Sequence, residues 1–139
     1  MGRVSHPLMY DDDDPVLARL RAVAAGLPQV VERVSHGRPH FRAGERGKGF
    51  AVYGGGVKVR PGEHERHDEA VLFKPDPAEV GALDTDPRFW VPAYYGPAGW
   101  RGLDLDLRRT DWQEVAELLD ASYRLVATRR LVVELDGHG

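Results

Sequence analysis

The chain of 139 residues contains no cysteine. Disulfide bridges, thiolate catalysis and cysteine-based zinc sites are therefore excluded. No apolar run approaches the roughly 20 residues that a membrane-spanning helix needs. The opening "MGRVSHPLMYDDDDP" lacks the apolar centre of a secretory signal. The expectation is a cytoplasmic protein with no membrane partner. Internal repeats, low-complexity linkers and composition breaks are also missing, which argues for one domain over 1–139 with a core at about 15–131. A chain of this length buries roughly two-thirds of its unfolded surface, enough for a core of its own.

Familiar catalytic patterns are absent too. "GERGKG" pairs glycine with lysine but lacks the four-residue spacer and the following Ser or Thr of a phosphate-binding loop. There is no Gly-x-Ser-x-Gly elbow, and Ser35 beside His36 is not a triad by itself. "HERHDE" (64–69) sets His64 and His67 among acids, but its second histidine comes one residue too early for a zinc-protease helix and Pro61-Gly62 precede it. A solvated loop is the expectation there, with a transition-metal site as the rarer alternative. These absences predict no catalytic residues, no metal and no cofactor, hence a non-enzymatic protein.

What is present begins with charge. The formal net charge of −3 gives no global case for nucleic acid. Residues 33–60 nevertheless carry Arg33, Arg38, Arg42, Arg46, Lys48, Lys58 and Arg60 against one acid, Glu45. Such a segment is either a solvated hairpin with ordinary charges or a local anion-binding face. The acidic run Asp11 to Asp14 precedes a helix, where carboxylates are mildly stabilised by the helix dipole.

That helix reads "DPVLARLRAVAAGLPQV", with Asp14 as N-cap, Pro15 at the first helical position and Gly26 with Pro28 as its stop. Val16, Leu20, Val23, Ala24 and Leu27 form its apolar stripe. Extended runs follow: "PHFRA" (39–43), "KGFAVYGGG", "VKVRPG" and "EAVLFKPD". Their period-two patterning broken by glycine predicts an antiparallel meander, with the run Gly54–Gly56 as a hairpin turn. A short helical turn is expected from Asp76 to Leu83. A further strand over 99–107 offers Trp100, Leu103, Leu105 and Leu107 to the core. The last helix, "DWQEVAELLDASYRLVA", is capped by Thr110 or Asp111 and buries Trp112, Val115, Leu118, Leu119, Ser122 and Leu125, with Tyr123 at the margin. The tail "VVELDGHG" is expected to fray. One sheet with N- and C-terminal helices on one face makes an α+β fold.

Two segments attract functional interest. "FWVPAYYGPAGW" (89–100) holds five of the twelve aromatic residues, broken by Pro92 and Pro97. Regular strand pairing is forbidden there, so the rings either plug a core or form a stacking surface through Tyr94 and Tyr95. The expectation is that Phe89, Trp90 and Trp100 are mostly buried while at least one of the two tyrosines reaches the surface. "SHGRPHF" brings His36, Arg38 and His40 together around Gly37 and Pro39. It either presents an anion-binding edge or holds the start of the sheet against the first helix.

"LPQVVERVSHGRPHFRA…KGFAVY", "PAYYGPAGWRGLDLD" and "DWQEVAELLDASYRLVATRRL" together resemble the MmcQ/YjbR family, over about Val16 to Leu131. The resemblance implies a CyaY-like α+β fold and a DNA-binding role through two β-hairpin wings. On this chain the wings fall within 40–60 and about 57–74, so Arg38, Arg42, Arg46, Lys48, Lys58 and Arg60 map onto the DNA-contacting face. Glu63 to Glu69 would repel phosphate in the second wing. The expected partner is double-stranded DNA, bound weakly and without sequence preference by a monomer. The alternative is a small-molecule or anion-binding cleft near His36, Arg38, His40 and Tyr94.

Overall fold

The computed structural model describes residues 7–137; the first six residues and the last two lie outside it. The elements in chain order are α1 (Pro15–Ala24), β1 (Val30–Ser35), β2 (Arg38–Ala43), β3 (Gly49–Arg60), β4 (Glu63–Phe73), α2 (Val80–Asp84), β5 (Phe89–Trp90), β6 (Arg101–Asp104), α3 (Trp112–Val126) and α4 (Arg129–Gly137). Six antiparallel strands form one sheet in the order β1-β2-β3-β4-β6-β5. The fold is α+β, as the patterning predicts.

Local chemistry explains the helix starts. Asp14 accepts from Val16 N at the head of α1, and Pro15 follows it. The same carboxylate takes the hydroxyl of buried Tyr53, which ties the cap to the middle of β3. Asp111 caps α3 by accepting from Gln113 N and Glu114 N. One face of the sheet packs Phe41, Ala51, Tyr53, Val71, Phe73 and Leu103 against Leu17 and Leu20 of α1, Val115 and Leu119 of α3, and Leu131 of α4.

The strand map corrects two expectations and adds a strand. Gly54–Gly56 are not a turn but the middle of the twelve-residue strand β3, which runs unbroken from Gly49 to Arg60. The turn lies at Pro61-Gly62, where proline sets one φ and Gly62 takes a φ of 77°. The segment 64–69 is consequently part of β4 rather than a loop. "VVERVS" forms the edge strand β1, joined to β2 by a two-residue turn in which His36 and Gly37 both have positive φ, 53° and 81°.

The C-terminal region differs as well. Of the tail 132–139 expected to fray, 132–137 are helical as part of α4, which Leu131 docks on the core, and the last two residues lie outside the described ones. In α3 the buried stripe is Val115, Leu119, Ser122 and Tyr123, with Trp112 and Leu118 half-buried and Leu125 left 43% exposed. Tyr123 sits at the centre rather than the margin because its hydroxyl reaches Pro28 O at 2.7 Å. Leu107 lies beyond the end of β6 and is exposed, whereas Leu103 and Leu105 are buried.

Alternation sends His40, Val52, Leu72 and Gly102 to the face away from α1 and α3. Segment 91–100 crosses part of that face, with Ala93 N bonded to Gly56 O at 2.8 Å. Its rings divide their work. Phe89 joins the core edge-on to Phe73, Trp90 lies over Gly102 and beside His67, and Trp100 packs on Tyr95. Phe89, Trp90 and Trp100 are half-buried, and Tyr94 is 85% exposed.

Candidate functional site

Between segment 91–100 and the uncovered part of that face lies a pocket of about 630 Å³. Its walls come from the β1–β2 turn, β2, β3, β4 and the aromatic segment, and the backbone of Gly54, Gly55 and Gly56 lies along it. Ligand pockets commonly enclose some 300–1,000 Å³.

Arg38, the first residue of β2, reaches into this space and is only 8% exposed. Its Nη2 donates to Asp68 Oδ1 at 3.0 Å. Its Nη1 is closed off from solvent and has no hydrogen-bond partner among the described residues. Arg66 Nε donates to the same carboxylate oxygen at 3.0 Å. Burial opposes ionisation of Asp68, but the bonds from Arg66 and Arg38 outweigh it and hold the carboxyl below its usual range. Two guanidinium groups therefore share one carboxylate, leaving a local excess of positive charge.

His40 stands two residues along the same strand. Its Nδ1 lies 3.0 Å from Arg38 O, and its Nε2 lies 2.8 Å from the Tyr95 hydroxyl. A carbonyl oxygen only accepts, so Nδ1 carries the proton and Nε2 accepts from Tyr95. Burial holds the imidazole below its ordinary value, aided by nearby His36 and Arg42 and opposed by the bond to Arg38 O. Burial also raises the Tyr95 phenol, with Arg38 opposing, so it stays protonated. This pair fixes the position of the aromatic segment over the sheet.

Tyr94 adopts a φ of 70° and its ring stacks on His64, centroids 5.6 Å apart and planes 21° apart. His36 is exposed in its turn, with Ser35 Oγ 3.0 Å from its Nδ1. The pocket thus brings together the four residues expected to form a cleft: His36, Arg38, His40 and Tyr94.

Other participants were not legible. Tyr95, not Tyr94, touches His40, and Gly54–Gly56, His64 and Arg66 all line the space. A usable signal existed for the glycines: Pro61-Gly62 is the stronger turn dipeptide, and a turn there puts Gly54–Gly56 inside a strand.

The remaining basic residues do not gather. Arg42, Arg46 and Lys48 lie in or beside the β2–β3 connection, while Lys58 and Arg60 lie at the far end of β3. Eleven residue steps separate Gly49 from Arg60 in this strand, roughly 36 Å at the usual rise. Arg60 pairs with Glu63 at 3.1 Å, and Val57 has Glu65 as its cross-strand partner. Among the described residues, no group of three or more His, Asp or Glu side chains could hold a metal ion, and no helix is long and apolar enough to cross a membrane.

A six-stranded antiparallel sheet with helices on one face and a recessed, arginine-lined pocket on the other defines an α+β domain with a candidate ligand site. Residues 25–125 match the YjbR family, and the chain belongs to it. No curated protein and no solved structure matches the chain.

Proposed function

We propose that this protein binds a small anionic ligand in the pocket around Arg38. The observation that carries this reading is Arg38, a guanidinium only 8% exposed that lines the pocket and shares Asp68 with Arg66. Charge-assisted hydrogen bonds from a nearly desolvated guanidinium to an oxyanion are roughly twice as strong as neutral ones. The shared Asp68 keeps Arg38 oriented, and the Tyr95–His40 bond holds the cover in place.

The DNA-binding reading draws on Arg42, Arg46, Lys48, Lys58 and Arg60. Phosphate-driven affinity grows with the number of phosphates neutralised together. Here the cations form two small groups about one strand length apart, and Glu63 and Glu65 flank the second. A weak, salt-sensitive attraction to duplex DNA is the most this arrangement supports.

Amide chemical-shift mapping separates the two readings. Acetate and inorganic phosphate should shift resonances of Arg38, Gly54–Gly56 and Tyr95 in the wild type and leave them unmoved in Arg38→Gln. An absence of pocket shifts with either anion overturns the reading. Shifts confined to 42–48 and 58–60 on adding duplex DNA would favour the DNA role.

A further inference from the structure

The pocket wall has a rigid part and a loose part. The rigid part is the glycine strip of Gly54, Gly55 and Gly56, set inside β3. The loose part is Met9, which lines the pocket from the segment before α1 and is half-buried there. Tyr10, the next residue, packs against the core and so ends the loose stretch.

Little holds segment 7–9 down. Among the described residues its one hydrogen bond runs from Met9 N to Gly37 O, at 2.9 Å. Pro7 is exposed and Leu8 is 66% exposed, so neither anchors it by burial. A single neutral hydrogen bond favours a seated state by only about two- to tenfold.

The seat itself is closely fitted. A Cβ on Gly37 would fall 2.3 Å from Pro7 O and 3.2 Å from Met9 Cγ. The segment can sit this close to the β1–β2 turn only because Gly37 has no side chain. A collision there would move the segment rather than the turn, because Ser35 and Arg38 pair across the turn in the β1–β2 ladder.

Arg38 follows Gly37 in the chain, so Met9 and the guanidinium meet the pocket side by side. Met9 in its seat takes the place of water along this wall. An anion in the pocket is attracted more strongly when water is excluded, because the local dielectric falls. A seated segment and a bound anion thus favour each other.

Building on the pocket reading above, we infer that segment 7–9 is a movable strap, latched at Gly37, that brings Met9 onto the pocket and tightens its hold on an anion.

Because the chain has no cysteine, Met9→Cys is a single reporter of strap opening in the full chain. Iodoacetamide, which is uncharged, should label it at least about threefold more slowly than the same protein carrying Gly37→Asn, in line with the loss of one latching bond. Asparagine tolerates the φ of 81° at this position, while its Cβ unseats the strap. Saturating acetate should slow labelling of Met9→Cys further, by about threefold or more, and adding Gly37→Asn should weaken acetate binding by the same factor, as reciprocal coupling requires. Circular dichroism checks the fold of Gly37→Asn. If that variant does not fold, Met9→Pro, which deletes the latching N–H and leaves the turn alone, replaces it and should weaken acetate binding likewise. Equal labelling rates with and without Gly37→Asn remove the latch and overturn the inference. Acetate that shifts the pocket amides but leaves labelling and the Gly37→Asn affinity unchanged also overturns it, with the anion pocket left standing. If acetate and phosphate move no pocket amide in the wild type, the pocket reading falls and the tightening role falls with it.

Discussion

Arg38 occupies the space that a side chain on Gly54 would need: a Cβ there would lie 2.1 Å from Nη1 and 3.0 Å from Cζ of the guanidinium. Gly54 also has a φ of 84°, so its lack of a side chain is required twice. Gly54→Ala should destabilise the fold by at least about 1 kcal/mol from backbone strain alone. It should also weaken anion binding by about tenfold or more by displacing Arg38. Urea denaturation and an acetate titration measure the two effects, and unchanged binding in a folded variant would separate Gly54 from the site.

His40 makes stability depend on pH in a defined direction. Its folded-state value lies below the ordinary one of about 6.5, mainly through burial. Below that pH the unfolded chain binds more protons than the folded one, so the contribution of His40 is intact above about 6.5 and is lost as pH falls through and below it. The wild type should therefore lose more stability than His40→Gln between pH 7.5 and pH 5. Urea midpoints of the two proteins at both values check it; parallel losses would assign the effect to other groups.

Two leucines of α3 distinguish the observed stripe from the expected one. Leu119 is fully buried and Leu125 is 43% exposed. Truncating Leu119 to alanine should cost about 2–5 kcal/mol. The same change at Leu125 should cost less than about 0.5 kcal/mol. Chemical denaturation of both variants tests the assignment, and similar losses would contradict it.

Ser122 is a small residue with a large structural role. Its Oγ donates to Phe50 O at 2.6 Å and accepts from Lys74 N at 2.9 Å, joining α3 to the start of β3 and the end of β4. Ser122→Ala would strand a backbone carbonyl and an amide, at an expected cost of about 1–3 kcal/mol. Amide exchange should speed up at Lys74 in particular. An unaltered exchange rate there would show that the bond contributes little.

The helices were largely legible because their caps and stops are local signals: Asp14 with Pro15, and Asp111 two residues before Gln113. Strand existence was legible from alternation, but strand continuity was not. Three consecutive glycines look like a turn in one dimension, and only the packing of Arg38 and Leu72 against them explains why they sit inside β3. β1 escaped notice because an edge strand is solvated on more sides, so Arg33 and Val34 are both exposed and no clean period appears. At the site, His36, Arg38 and His40 lie within five residues and could be grouped by eye. Tyr95, 55 positions from His40, could be placed only by the fold.

The glycine strip also limits how this pocket can change over time. A wall built from side chains can be widened or narrowed one methylene at a time, but a wall of bare backbone offers no such increments. A methyl group on Gly54 would press on the Arg38 guanidinium, one on Gly55 on a Leu72 methyl and one on Gly56 on Glu65 O. Drift in ligand preference, natural or engineered, is thereby channelled to the opposite wall, above all to Tyr94, whose exposed ring can be exchanged without disturbing the core. One side of the pocket is a constant and the other a variable, so libraries aimed at new specificity are best confined to 91–95.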